Sequence, residues 1–204
     1  MNPEPRINWQ YPPPRPGWRG QLDTFFGPGT TRAEIWLEVG SGLAAAVALV
    51  IYAAANALDW SLVQYVVAAL LAEDLVGGVA TNAASSGKRW YHRAGQGFRQ
   101  HMLFIVIHAV QPALVVLFFR PGDWGFFALV YGYLLLAAAL ILRSPLYLQR
   151  PLALLALCGG FLITFYGLSP TPGLEWFIPV YYVKLLVSHA LREEPYRPPN
   201  EDMP

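Results

Sequence analysis

Six stretches of mostly apolar residues, at 33–55, 60–82, 100–119, 124–142, 151–167 and 175–191, constrain this chain more than any other feature. A helix needs about 20 such residues to cross the hydrocarbon core of a bilayer. The connections between them carry polar groups and helix breakers, among them Asn56–Asp59, Arg120–Asp123 and the two prolines near 170. The predicted fold is therefore an all-α, polytopic membrane bundle of six transmembrane helices over residues 33–192. A proline-rich cytosolic or interfacial arm (1–32) precedes it, and a short polar tail (193–204) follows. Only 13% of the 204 residues are charged, about half the share usual in a soluble domain.

Basic residues set the expected orientation. Arg6, Arg15, Arg19 and Arg32 precede the first stretch, and Lys88, Arg89, Arg93 and Arg99 follow the second. Arg143 and Arg150 follow the fourth, and Arg192 and Arg197 the sixth. With six spans these all fall on one side, and the other side holds Arg120. The positive-inside bias makes the crowded side cytoplasmic, which places both termini in the cytosol of a plasma or inner membrane. The first 23 residues are polar, with Pro12, Pro13 and Pro14 in a row, unlike the apolar core of a secretory signal. That run predicts extended chain, with Trp9, Trp18, Phe25 and Phe26 resting at headgroup level. The net charge of +1 and the lack of a basic stripe exclude a nucleic-acid partner. Cys158 is the single cysteine, so neither an intrachain disulfide nor a CxxC motif can form.

Ionisable side chains inside spans mark functional sites by default, because hydrocarbon penalises them. Here they are Glu38, Glu73, Asp74, His101, His108, Lys184 and His189. Asp74, His108 and Lys184 each lie about 12 Å below the cytoplasmic boundary, counted at about 1.5 Å per residue. The expectation is that Asp74 approaches His108 across neighbouring helices, as an acid–base or metal-binding pair, with Lys184 or His189 as a charge partner. His101, His108, His189, Asp74 and Glu73 are the candidate ligands of an oxygen- and nitrogen-bound metal such as iron, zinc or manganese. Asp74, Gly77, Gly78, Thr81 and Asn82 share one small, polar helix face, which lets a neighbour come close. Pro112 denies the His108 carbonyl its usual helical donor, so that carbonyl needs another partner. The 83–99 loop is long for a helical hairpin. Its basic and aromatic residues suit anionic headgroups or a phosphate-bearing substrate, with His92 solvated or bound to headgroups.

The run from Glu73 and Asp74 through Gly77 and Gly78, followed by Phe98, Arg99 and His101, resembles the opening of the Kua-type lipid desaturases. In that family an Asp-x-x-small-Gly motif in a span precedes a Phe-Arg-x-His motif at the cytoplasmic boundary. The resemblance implies a similar helical membrane fold and a lipid substrate. Thr81 and Asn82 stand where that family has a His-Trp pair, and Met102 replaces the second of two histidines. With four histidines in all, the chain lacks the ligand set of a di-iron desaturase. Three functions remain open on these residues. The first is an enzyme modifying a lipid or other hydrophobic substrate at the cytoplasmic leaflet. The others are a proton- or ion-coupled small transporter and a cofactor-binding subunit of a membrane complex.

Overall fold

A computed structural model describes residues 7–197; Arg6 and the end of the polar tail lie outside them. Among the described residues the fold is all-helical, apart from one antiparallel bridge between Ile7 and Tyr196. The helices are α1 (Trp18–Phe26), α2 (Arg32–Ala55), α3 (Leu62–Ala83), α4 (Ser85–Tyr91), α5 (Phe98–Ile107), α6 (Val110–Phe119), α7 (Trp124–Arg143), α8 (Leu146–Leu162) and α9 (Phe177–Tyr182). Wider π-type turns extend α8 over Ile163–Gly167 and α9 over Val183–His189.

Local sequence starts the long helices cleanly. Thr31 and Ser61 form capping boxes with Glu34 and Gln64, satisfying backbone donors that a helix start leaves open. Asp123 accepts from the Phe126 amide at the head of α7. Five helical stretches are long and apolar enough to cross a membrane: Arg32–Ala55, Leu62–Ala83, Phe98–Phe119, Trp124–Arg143 and Leu146–Gly167. Their outward faces stay apolar. Leu43, Val47 and Ile51 on α2, and Leu136 and Leu140 on α7, are all exposed. Water would penalise apolar surface on that scale, whereas lipid tails match it.

The sixth expected span differs from its prediction. Its helix is short, 6 residues of α9 followed by 7 of π-type turn, and it lies at the centre of the bundle. Phe177, Tyr181, Tyr182, Leu185 and Leu186 are essentially inaccessible. A segment sheathed by other helices need not present a full-length apolar surface to lipid, which is why this one tolerates Lys184, Ser188 and His189. The arm differs too. The proline run gives way to the α1 helix, whose Trp18, Leu22 and Phe25 are exposed. Their spacing places them on one face, the pattern of a helix lying in a membrane interface. Arg15 binds back to it, its backbone amide and guanidinium both meeting the buried Asp23 carboxylate.

Contacts trace two ends. At the basic end Lys88 meets Ser188 and Leu191, Arg143 stacks on Phe98, and Arg192 stacks on Trp9. At the other, Arg120 bonds Ser169 and Thr171, and Trp60 packs on Phe119.

The α2–α3 hairpin is the most intimate pairing, and glycines make it so. A Cβ on Gly42 would sit 2.9 Å from the Glu73 carbonyl oxygen, and one on Gly77 would sit 3.2 Å from that of Glu38. Backbone at that separation leaves no room for a side chain. The variant Gly42→Leu is expected to push the helices apart and lower stability by about 1–3 kcal/mol. Thermal unfolding in detergent reads this, and an unchanged midpoint would contradict it.

Candidate functional site

The small, polar face of α3 lines a cavity of about 350 Å³ near the basic end. Each residue of that face has a definite use. Gly77 admits α2, while Gly78 admits the Lys184 side chain, whose Cε would lie 2.4 Å from a Cβ there. Lys184 reaches over Gly78 to bond the Asp74 Oδ1 at 2.8 Å and the Asp74 carbonyl at 3.1 Å. Gln111 donates to the second carboxylate oxygen at 3.0 Å. Lys184 is buried, but the Asp74 side chain keeps 44% of its exposure.

His108 lines the same cavity. It sits where the third apolar stretch breaks between α5 and α6, one turn before Pro112. The carbonyl that Pro112 leaves without its helical donor accepts from the Tyr181 hydroxyl at 2.8 Å. The His108 Nδ1 faces the Phe104 carbonyl at 2.6 Å. Only a protonated nitrogen can serve that acceptor, so in the neutral ring Nε2 carries the lone pair. Asp74 and His108 thus share one chamber without a hydrogen bond between them. The carboxylate is engaged by Lys184 and Gln111 instead. Glu73 is exposed on the same wall. Glu38 faces it from α2 at 2% exposure, and neither of its carboxylate oxygens has a hydrogen bond of good geometry.

His101 and His189 belong to a second centre. His189 Nδ1 meets Asn82 Oδ1 at 2.9 Å, and its Nε2 meets His101 Nδ1 at 3.2 Å. Asn82 donates to Gly78 through its amide nitrogen, so its oxygen accepts from His189. That leaves His189 Nε2 as acceptor and His101 Nδ1 as donor. His92 stacks on His101 with ring centroids 4.5 Å apart and donates from Nε2 to the His189 carbonyl at 3.0 Å. Phe104 stacks on His189 at 3.9 Å, separating this centre from the cavity it also lines.

This division separates the expected metal ligands. His108, Asp74 and Glu73 lie on the cavity, while His101 and His189 bond to each other. Among the described residues no three histidine, cysteine or acidic side chains are grouped to hold an ion. The set does not fit the iron, zinc or manganese that the sequence suggested.

The 83–99 loop also differs from expectation. Its first half is α4, tucked under the bundle with Lys88 and Arg89 buried. Lys88 donates to the terminal carbonyls of Ser188 and Leu191 at 2.6 and 2.7 Å, groups a helix end leaves open. Burial pulls its ammonium down to about 8, against the opposing pull of Glu193. The α4 helix also roofs the cavity. Ser86 bonds the Phe26 carbonyl, Tyr91 bonds the Phe25 carbonyl, and the Ser86 amide donates to Glu34. Phe25, Phe26, Tyr91 and Phe104 supply the aromatic lining. Gln111 was missed by sequence reading, although an amide one turn after His108 on the same face was a usable signal.

No protein-family model, curated protein or solved structure matches this chain.

Outside the spans, His92 gives the histidine cluster a pH dependence. Burial, then the neighbouring His101 and Lys88, hold its imidazole down at about 3 against an ordinary 6.5. The unfolded chain takes up this proton near 6.5 and the folded chain resists it until about 3. His92 therefore contributes stability fully above 6.5 and loses it as pH falls through that window. Melting midpoints in detergent are expected to fall between about pH 7 and about pH 5. The fall should be shallower in His92→Gln, which keeps a donor for the His189 carbonyl. Parallel curves would contradict the assignment.

Proposed function

We propose that this chain is a six-span membrane enzyme, with both termini in the cytosol, that modifies an amphipathic, lipid-like molecule drawn from the cytoplasmic leaflet. The observation carrying this reading is the cavity itself, where the half-exposed Asp74 carboxylate and the His108 imidazole share one chamber. A carboxylate facing hydrocarbon at that depth is heavily penalised, so the chamber suits water or a polar headgroup. Its aromatic roof suits the adjoining carbon chain. The volume of about 350 Å³ lies in the range of small-ligand sites.

The chemistry follows from the placement of protons. His108 Nε2 holds a lone pair and can take a proton from a bound substrate, acting as general base. Asp74, held in place by Lys184 and Gln111, presents its half-exposed carboxylate to the same chamber, where it can orient a donor group of the substrate. Lys184 balances the carboxylate and fixes its direction.

Production of the protein is expected to deplete one class of amphiphile in the host lipid extract and generate a related product. His108→Ala should slow that conversion about 100-fold or more, the usual worth of a general base, while the folded protein persists in the membrane. Identical lipid profiles with wild type, His108→Ala and no protein would sink the enzyme reading.

The orientation has its own check. In a Cys158→Ser background, Pro172→Cys should react with a membrane-impermeant maleimide on intact cells, and Ala94→Cys only after permeabilisation. Labelling of both from outside, or the reverse pattern, would refute the six-span arrangement or its direction.

A further inference from the structure

We infer that the headgroup accepted by this cavity is cationic: a protonated or quaternary alkylamine bound by Glu38 and the surrounding aromatic rings. The inference rests on the amphiphile reading above and deepens it. It comes from counting which hydrogen-bonding groups on the cavity wall remain open.

Each donor atom on that wall already has at least one protein acceptor, with one N–H of Lys184 and one of Asn82 left over. The Thr81 hydroxyl donates to the Gly77 carbonyl, the Asn82 amide to Gly78, and the Tyr91 hydroxyl to Phe25. His108 Nδ1 donates to Phe104, and Lys184 to two oxygens of Asp74. The acceptors are in the opposite condition. Both carboxylate oxygens of Glu38 are buried without a hydrogen bond of good geometry, the adjacent Thr81 hydroxyl being directed to the Gly77 carbonyl, and His108 Nε2 is the lone-pair side of its ring. A chamber with open acceptors and engaged donors selects a ligand that donates or carries positive charge.

Formal charge points the same way. Asp74 and Lys184 neutralise each other at 2.8 Å. Glu38 and Glu73 then remain on the wall, and no ion pair among the described residues joins either of them. A carboxylate as deeply buried as Glu38, at 2% exposure, is strongly penalised without a counter-charge. The faces of Phe25, Phe26, Tyr91 and Phe104 are electron-rich and attract ammonium groups. An anionic head would meet two carboxylates and find the Lys184 ammonium already engaged by Asp74.

Three probes with one dodecyl chain test this, bearing trimethylammonium, hydroxyl or sulfate heads and titrated below their micelle concentrations. Binding is read by isothermal titration calorimetry on the purified full chain in lipid nanodiscs, with empty nanodiscs subtracted. The trimethylammonium probe is expected to bind at least about tenfold more tightly than the hydroxyl probe, and the sulfate probe weakest. Glu38→Gln should erase the ammonium preference without lowering the melting midpoint. Glu38→Asp should restore part of the preference. Equal binding of all three heads, a preference for sulfate, or an ammonium preference surviving Glu38→Gln each overturns the cation assignment and leaves the amphiphile site standing. Saturable binding of none of the probes overturns both.

Discussion

The ion pair between Lys184, whose ammonium is buried, and Asp74 organises this bundle. Lys184 arrives from the last helical segment and Asp74 from the second long helix, 110 residues earlier. An ammonium buried in apolar surroundings is destabilising by several kcal/mol unless paired and hydrogen-bonded. Lys184 therefore fixes where the last segment can sit, against the α3 face that offers both a carboxylate and the gap at Gly78. The neighbouring tyrosines fall into place around that constraint. Tyr181 supplies the donor that the kinked third stretch lacks at His108, and Tyr182 bonds the Val130 carbonyl of α7. One central segment thus satisfies open polar groups on two neighbours. Its π-type turns coincide with Lys184, Ser188 and His189, as such widened turns often do near functional groups.

The basic end is closed by the same principle applied in less apolar surroundings. Lys88 caps the far end of that central segment, and α4, which carries Lys88, also carries Ser86 and Tyr91. These two hold the end of α1. Close backbone packing completes the closure, since a Cβ on Gly27 would fall 2.3 Å from the Ser86 carbonyl oxygen. The amphipathic α1 helix is consequently tied to the protein at its C-terminal end, while its Trp18 and Leu22 remain exposed. The cavity lies beside this tethered helix, whose Phe25 and Phe26 line it.

Several of these features were legible in the sequence because they depend on local pattern. Long apolar runs identified five helices of membrane-crossing length, and Asp74, His108 and Lys184, singled out as ionisable groups within apolar stretches, line one cavity. The Pro112 argument showed that the His108 carbonyl must find a partner, without saying which. What could not be read was choice among distant partners. Nothing near Asp74 indicates that Lys184 and Gln111 would take it in preference to His108. Nothing near His92 indicates that a histidine in a basic loop would be buried beneath the bundle. A short polar-flanked loop sequence looks solvated, yet once α4 packs under the helix ends its lysine meets bare carbonyls and its histidine meets aromatic rings. Helix length misled in the same way for the last segment, because span length is a rule for lipid-facing helices and this one faces protein.

The two polar centres near the basic end differ in kind, and that difference bears on function. The histidine cluster is closed upon itself. His101 donates to His189, His189 to Asn82 and Asn82 to the α3 backbone, with Phe104 stacked across one side. Such a relay positions helices and leaves few nitrogens directed outward. In the neighbouring cavity the donors are engaged by the protein, while Glu38 and His108 retain open acceptors. A folded chain ordinarily satisfies its buried polar groups, and it does so in the first centre. Where it does not, at Glu38 in a chamber bounded by aromatic rings, the open position is the one assigned above to a cationic head.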